Sequence, residues 1–203
     1  MPLARTFDPV RRVVVSTAYD GYVDRCSRWS DIQEYLPFLH ATARSYPAPR
    51  ILELGTRKGN STLAFLAACE AAAAGHVWSV DVSACDLDPE GMAPWRHCPL
   101  WTFTRGDDID ASVQSLLPAR CDVLFIDTSH EYEHTLAELQ AFVPRVSAGG
   151  VVLMHDTHVR GWPGYEWDRD VSPVWAALDE YCAEAGLSWE DKPGRYGLGI
   201  IRP

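Results

Sequence analysis

The chain has 203 residues, of which 47% are hydrophobic, and its formal net charge at pH 7 is −10. This length suits one compact domain that buries most of its apolar surface. The acidic balance provides no positive field to attract nucleic acid or an anionic membrane surface, so neither is an expected partner. The first residues lack the apolar core of a signal peptide, and no stretch approaches the roughly 20 apolar residues of a membrane span. We therefore expect a cytoplasmic location.

The cysteines are scattered along the chain without the Cys-x-x-Cys spacing of zinc sites. Several lie in apolar helix or strand patterns. We expect reduced, mostly packed thiols, rather than a zinc site or a disulfide framework, at Cys26, Cys69, Cys85, Cys98, Cys121 and Cys182.

The N-terminal region precedes the first strand pattern and is predicted to be helical. Residues 29–45 have the apolar spacing of one or two amphipathic helices. We expect residues 1–46 to form a helical cap on a core of residues 47–203, both within a single domain. The cap would pack over the pocket or onto a neighbouring subunit, so a homo-oligomer is an expected assembly.

The most informative segment is an apolar strand, a glycine turn and an Ala/Leu-rich helix. Residues 50–54 predict the strand, and residues 62–74 predict the helix. A glycine turn lets a ligand approach the backbone, and the helix start presents unpaired N–H groups there. The spacing Glu53-x-Gly55-x-x-x-Gly59 differs from the glycine patterns of dinucleotide and phosphate loops. An acidic residue beside the turn suits a ligand with a cationic group and a ribose, and S-adenosylmethionine has both.

Further strands and helices alternate along the rest of the chain. Buried strands are predicted over residues 76–82, 101–104, 121–126 and 150–154, helices over residues 132–143 and 172–185, and two terminal strands within residues 187–201. This alternation predicts an α/β, Rossmann-like, doubly wound seven-stranded sheet that is mostly parallel, with helices on both faces. The irregular residues 83–99 and 158–172 would follow carboxyl ends of strands, where such sheets bind ligands.

Polar residues follow several of these strands. Asp81 ends the second strand, where a carboxylate can accept both hydroxyls of a ribose, although a lone Asp there also serves as a helix cap. Asp127 and His130 follow the fourth strand, and His155 and Asp156 follow the fifth. Carboxylate oxygens suit a hard cation such as Mg²⁺, which lowers the pKa of a bound hydroxyl, and a nearby imidazole can take the proton.

These segments resemble a known family. Residues 50–63 resemble the motif-one region of class I S-adenosylmethionine-dependent methyltransferases. The residues after the fourth and fifth strands resemble the metal-dependent small-molecule O-methyltransferases, in the branch that includes macrolide-sugar methyltransferases and cephalosporin hydroxylase-like proteins. In this branch an Asp-x-Ser-His-x-Tyr run follows the fourth strand, and the chain matches it at Asp127, Ser129, His130 and Tyr132. An acidic pair follows the fifth strand in several members. Asp156 matches one acid of that pair, whereas His155 replaces the other.

The resemblance implies an O-methyltransferase that uses S-adenosylmethionine to methylate a hydroxyl of a small molecule, a sugar or polyketide natural product. It assigns catalysis to Asp127 and to His130 as general base, and Mg²⁺ binding to Asp127, His155 and Asp156. The turn after the third strand would place an acid near the adenine amino group, with Asp107 preferred and Asp108 as its alternative. The expected cofactor-binding residues are Glu53, Gly55, Thr56, Gly59, Ser61, Asp81, Asp107 and Asp127.

Several alternatives stay open at the level of sequence. The acids and histidines can be structural, and His130, His155 and His158 can instead form a transition-metal site with Asp127. The protein can also be a non-catalytic accessory protein that binds the cofactor, or a metal-dependent hydroxylase or hydrolase. The fold alone does not choose among these functions.

Overall fold

The computed structural model describes residues 17–83, 98–160, 166–167 and 170–203. The strands are β1 (Arg50–Leu54), β2 (His76–Asp81), β3 (Trp101–Arg105), β4 (Cys121–Ile126), β5 (Val146–His155), β6 (Trp189–Lys192) and β7 (Leu198–Ile201). They form one sheet in the order β3-β2-β1-β4-β5-β7-β6. Strands β1 to β5 pair in parallel, and β7 and β6 complete one edge in antiparallel pairing. The predicted seven-stranded, mostly parallel, doubly wound sheet is confirmed.

The helices are α1 (Ala18–Ser27), α2 (Leu36–Arg44), α3 (Asn60–Ala72), α4 (Ala111–Gln114), α5 (Tyr132–Phe142) and α6 (Pro173–Ala185). The N-terminal region is helical, but α1 precedes the predicted residues 29–45, because Thr17 and Asp20 form a capping box that starts a helix there. Strand β5 also begins earlier than predicted, at Val146, since Gly149 and Gly150 interrupt its apolar pattern without ending it.

Alternate residues of the central strands pack on opposite faces of the sheet, as the two-residue period of a strand requires. Ile51 and Phe125 belong to a core cluster with residues of α1, α2 and α3. Leu52 and Leu124 belong to a second cluster with residues of α5 and α6. Both faces of the parallel strands are therefore covered by helices.

The direction in which successive strands are placed in the sheet reverses between β1 and β4. Strands β2 and β3 lie on one side of β1, whereas β4 and β5 lie on the other. In open parallel sheets, the crevice beyond the carboxyl ends of the strands at such a reversal is the usual ligand site. The loops that follow β1 and β4 meet there.

Three further observations bear on the predictions. No helix among the described residues has both the length and the apolar character needed to cross a membrane. The five described cysteines are free thiols, and Cys85 lies outside the described residues. Most of the irregular residues 83–99 also lie outside them, as do residues 161–165 and 168–169 of the second irregular segment, 158–172.

Glu53 is a fully buried carboxylate at the centre of the structure. Its oxygens accept hydrogen bonds from the hydroxyls of Ser61 at 2.6 Å, Thr62 at 2.8 Å and Ser79 at 2.5 Å. One side chain thereby joins β1 to α3 and β2. Burial raises the pKa of Glu53 to about 7, although the three hydroxyl donors oppose that shift.

The raised pKa of Glu53 predicts a stability that falls with pH. The folded protein holds this proton more tightly than the unfolded chain, so the contribution is full below about pH 4.5 and is lost as the pH rises through about 7. Glu53→Gln cannot titrate. Its free energy of unfolding should therefore rise relative to that of the wild type, by roughly 3 kcal/mol across this window. Urea denaturation at a series of pH values measures the difference.

The matched control is Glu190→Gln, which removes one carboxylate from the surface, where 71% of the Glu190 side chain is exposed. A difference between Glu53→Gln and the wild type that stays constant with pH would show that the Glu53 carboxyl does not titrate as described.

Candidate functional site

The loop between β1 and α3 packs directly against the end of β4. Gly55 has a φ of 83°, and a Cβ added to it would lie 1.9 Å from the carbonyl oxygen of Asp127. Only glycine is compatible with both constraints. At the other end of the loop Gly59 has a φ of 65° and precedes α3 without a side-chain cap. The loop thus brings exposed backbone and the start of α3 to the end of β4.

Asp81, at the end of β2, holds this loop in place. Its Oδ2 accepts hydrogen bonds from the backbone N–H groups of Thr56 and Arg57, both at 2.9 Å, and its Oδ1 accepts one from the N–H of Ser83 at 2.9 Å. Burial opposes ionisation, but these donors outweigh it and lower the pKa of Asp81. The carboxylate is therefore an anchor of the loop, and its role at a ribose stays a prediction.

Two cavities meet at this loop. The first, the strand-end cavity, has a volume of about 300 Å³ and lies beyond the carboxyl ends of β1, β2, β3 and β4. The second, the N-terminal cavity, has a volume of about 580 Å³ and lies between the loop and residues 25–32. Asp127 and Arg57 border both cavities.

Most of the predicted cofactor residues line one of these cavities. Gly55, Asp81 and Asp107 line the strand-end cavity, while Thr56 and Ser61 line the N-terminal cavity. Glu53 lies beneath the loop and reaches the site only through Ser61. Asp108, the alternative to Asp107, also lines the strand-end cavity and is the more buried of the two.

Asp127 belongs to a cluster of two carboxylates and two imidazoles. His130 Nε2 is 3.0 Å from Asp127 Oδ1 and 3.1 Å from Asp156 Oδ2. His155 Nδ1 is 3.3 Å from Asp127 Oδ1 and 3.2 Å from Asp156 Oδ1. The structure therefore brings together the four polar residues predicted to converge from β4 and β5.

Two members of this cluster have an unusual backbone conformation. His130 has a φ of 59° and Asp156 a φ of 64°. Residues other than glycine seldom adopt this left-handed region, and such strain is concentrated at functional sites. The backbone thus supports a functional origin for the convergence of these side chains.

The four groups shift one another's pKa strongly. Burial opposes ionisation of Asp127, but His155 and His130 hold the pKa of this carboxyl well below its usual range. Burial opposes protonation of His130 and His155, yet the neighbouring carboxylates raise the pKa of both imidazoles, that of His155 to about 9. Burial and the charge of Asp127 raise the pKa of Asp156 to about 6, against the effect of the two imidazoles. Asp127 is therefore the permanent anion of the cluster.

The donor set fits a divalent cation. One ligand atom each from Asp127, His130 and Asp156 lies within 4.8 Å of the others. Asp156 Oδ1 and His155 Nε2 are buried without an aligned hydrogen-bond partner among the described residues. The two carboxylates supply oxygen ligands of the kind that Mg²⁺ and Mn²⁺ accept, and the imidazole of His130 lies beside them. His155, the predicted third ligand, contacts both carboxylates through Nδ1 and is placed to orient them.

The predicted alternative with three histidines is not assembled. His158 Nε2 lies 3.1 Å from Asp191 Oδ1 instead of joining the other two imidazoles. The structure therefore does not bring together the residues of the transition-metal site.

A second buried polar group was not predicted from the sequence. His134 Nε2 lies 3.1 Å from Asp108 Oδ1 and 3.5 Å from Glu138 Oε1. Contacts with both carboxyls raise the pKa of His134 to about 10. The spacing of His134 and Glu138, four residues apart on one helix, was the signal that could have found it. This group forms a wall of the strand-end cavity through His134 and Asp108.

Comparison with known proteins agrees with this geometry. Residues 52–157 match the family model for the methyltransferase domain. The chain is also 33% identical over 173 residues to protein y4gI of Sinorhizobium fredii (strain NBRC 101917 / NGR234). That match covers 75% of this chain but 17% of y4gI, so the chain spans only a small part of that relative.

Two solved structures have a similar fold. The SAH-bound methyltransferase PaMTH1 of Podospora anserina superposes with a TM-score of 0.65 at 20% identity, covering 91% of this chain and 86% of that one. The O-methyltransferase of Bacillus cereus in complex with SAH superposes with a TM-score of 0.64 at 16% identity, covering 93% of this chain and 91% of that one. The protein belongs to the methyltransferase-domain family and has the fold of the class I S-adenosylmethionine-dependent methyltransferases, as the resemblance implied.

Proposed function

We propose that this protein is an S-adenosylmethionine-dependent O-methyltransferase that acts on a hydroxyl of a small molecule, a sugar or polyketide natural product, with Mg²⁺ assistance. The supporting observation is the position of Asp127, which borders both cavities and also belongs to the carboxylate–imidazole cluster. A methyl donor at this point would be adjacent to space for an acceptor and to groups that can take a proton.

The cofactor is assigned to the strand-end cavity and the loop beside it. Asp81 and Asp107 lie on the side suited to adenosine, and Gly55 lines the same cavity. The sulfonium and ammonium groups are cationic, so they are stabilised by the permanently ionised Asp127. Glu53, which lies beneath the loop, contributes to cofactor binding by orienting the hydroxyl of Ser61.

The reaction needs an acceptor oxygen aligned with the methyl–sulfur bond. That oxygen forms a bond to the methyl carbon while the carbon–sulfur bond breaks and its electron pair stays on sulfur. His130 in its neutral form receives the acceptor proton at Nε2, and holding both reactants in line supplies much of the acceleration. A divalent cation bound by Asp127 and Asp156 would lower the pKa of the acceptor hydroxyl. His155 keeps the two carboxylates in place.

The acceptor class and the location belong to the same proposal. The N-terminal cavity, at about 580 Å³, has the size of sites for small molecules rather than for polymers. The natural-product class follows from the resemblance at Asp127, Ser129, His130 and Tyr132. A cytoplasmic location is consistent with the five described free cysteines.

His130→Asn tests the general base. Asparagine tolerates the left-handed backbone conformation but cannot take the proton, so turnover should fall by about 10²–10³-fold while affinity for S-adenosylhomocysteine changes by less than about 2-fold. Release of S-adenosylhomocysteine from a panel of hydroxylated acceptors measures turnover, and calorimetry measures affinity. The control is His76→Asn, at the far end of β2. Unchanged turnover in His130→Asn would reject this role.

Mn²⁺ binding tests the metal assignment with a measurement besides activity. The wild type should bind one Mn²⁺, and Asp156→Asn, which keeps the shape but removes the charge, should bind it at least about 10-fold more weakly. Asp110→Asn, which replaces one good N-cap of α4 by another, should bind like the wild type. Calorimetry gives both affinities. Equal Mn²⁺ affinity in Asp156→Asn and the wild type, or full turnover in the presence of EDTA, would exclude the metal.

A further inference from the structure

Arg25 is a mostly buried residue with which no described residue forms an ion pair. Only 9% of its surface is exposed, and it lines the N-terminal cavity. Its guanidinium makes no hydrogen bond or ion pair with any residue in the described ranges. Most of the side chain packs against protein while its donors line the cavity, and arginine presents five N–H donors in a fork that suits planar oxyanions. This arrangement is typical of an arginine that binds an anionic ligand.

The lining of this cavity contains more cationic than acidic side chains. Arg28 is paired with Asp24 at 2.9 Å, and Arg57 with Asp31 at 2.5 Å, so both have their own partners. Lys58 also lines the cavity. A chain with a net charge of −10 therefore gathers four cationic side chains around one cavity, where Asp31 and Asp127 are the only acids among the lining residues that the structure describes.

We propose that the N-terminal cavity binds an acceptor that carries an anionic group, a carboxylate or phosphate, and that Arg25 binds this group. This inference rests on the proposed function, because it places the acceptor in the cavity that Asp127 shares with the cofactor. The anion at Arg25 positions the molecule, and its hydroxyl reaches the carboxylate–imidazole cluster beside Asp127. Neutral analogues of the acceptor bind more weakly, since they cannot form charge-assisted hydrogen bonds with the Arg25 guanidinium.

Two competing roles of Arg25 lead to different experimental results. In the first, Arg25 stabilises the dipole of α1, in whose last turn it lies, and its replacement would lower the melting temperature. In the second, Arg25 binds the carboxylate of the cofactor itself, and its replacement would weaken the binding of S-adenosylhomocysteine. An acceptor-binding role has neither effect.

The experiment compares matched acidic and neutral probes on the wild type, Arg25→Gln and the surface control Arg44→Gln. The probe pairs are 3,4-dihydroxybenzoate with catechol, and glucuronate with glucose, each titrated by ligand-observed NMR with S-adenosylhomocysteine and Mg²⁺ present. Calorimetry with S-adenosylhomocysteine and a thermal melt accompany each variant.

We expect the acid of at least one pair to bind the wild type about 10-fold more tightly than its neutral partner. Arg25→Gln should reduce this preference to about 2-fold or less, with unchanged affinity for S-adenosylhomocysteine and an unchanged melting temperature, and Arg44→Gln should keep it. The inference is overturned if neither acid is preferred, if the preference survives in Arg25→Gln, or if that variant loses stability or cofactor affinity. A wild type that binds the acids through Arg25 but not S-adenosylhomocysteine would reject the proposed function while leaving the anion site intact.

Discussion

The site depends on one close backbone contact, between Gly55 and the carbonyl of Asp127. Because no side chain separates them, the loop after β1 and the end of β4 form a single surface. The carboxylate of Asp81 fixes the other side of that loop through the N–H groups of Thr56 and Arg57. Glu53 fixes its far end through Ser61 and Thr62. The buried carboxylate of Glu53 and the half-buried one of Asp81 thus determine the shape of a loop that contributes mainly backbone to the ligand site.

Asp127 connects the two halves of the proposed reaction. Its position at the reversal of strand order places it beside both cavities, and the imidazoles of His130 and His155 keep it ionised. A fixed negative charge at this point stabilises a cationic methyl donor on one side and contributes to a cation site on the other. The residues that bring these side chains together, His130 and Asp156, have a strained left-handed backbone conformation.

Much of the fold could be predicted from the sequence because parallel strands buried on both faces appear as short apolar runs separated by turn residues. Those runs located all five parallel strands, and the rule that their carboxyl ends share one edge brought Asp127, His130, His155 and Asp156 together in the prediction. The early start of β5 was missed because Gly149 and Gly150 resemble a turn.

The rest of the site depends on contacts between distant parts of the chain. The buried pairing of His134 with Asp108, and the position of Arg25 on a cavity wall, arise from packing of helices against the sheet. Periodicity shows that a helix has an apolar face but does not show which polar residue ends beside which cavity. The sequence therefore predicted the groups at strand ends and missed those contributed by helices.

The most direct measurement is a crystal structure of the protein with S-adenosylhomocysteine and Mn²⁺, with anomalous scattering used to locate the metal. We predict adenosine density in the strand-end cavity, the amino-acid end beside Gly55, Thr56 and Ser61, and one anomalous peak between Asp127 and Asp156. Density for S-adenosylhomocysteine elsewhere, or a cavity that stays empty at saturating ligand, would contradict the assignment of this crevice as the site of methyl transfer.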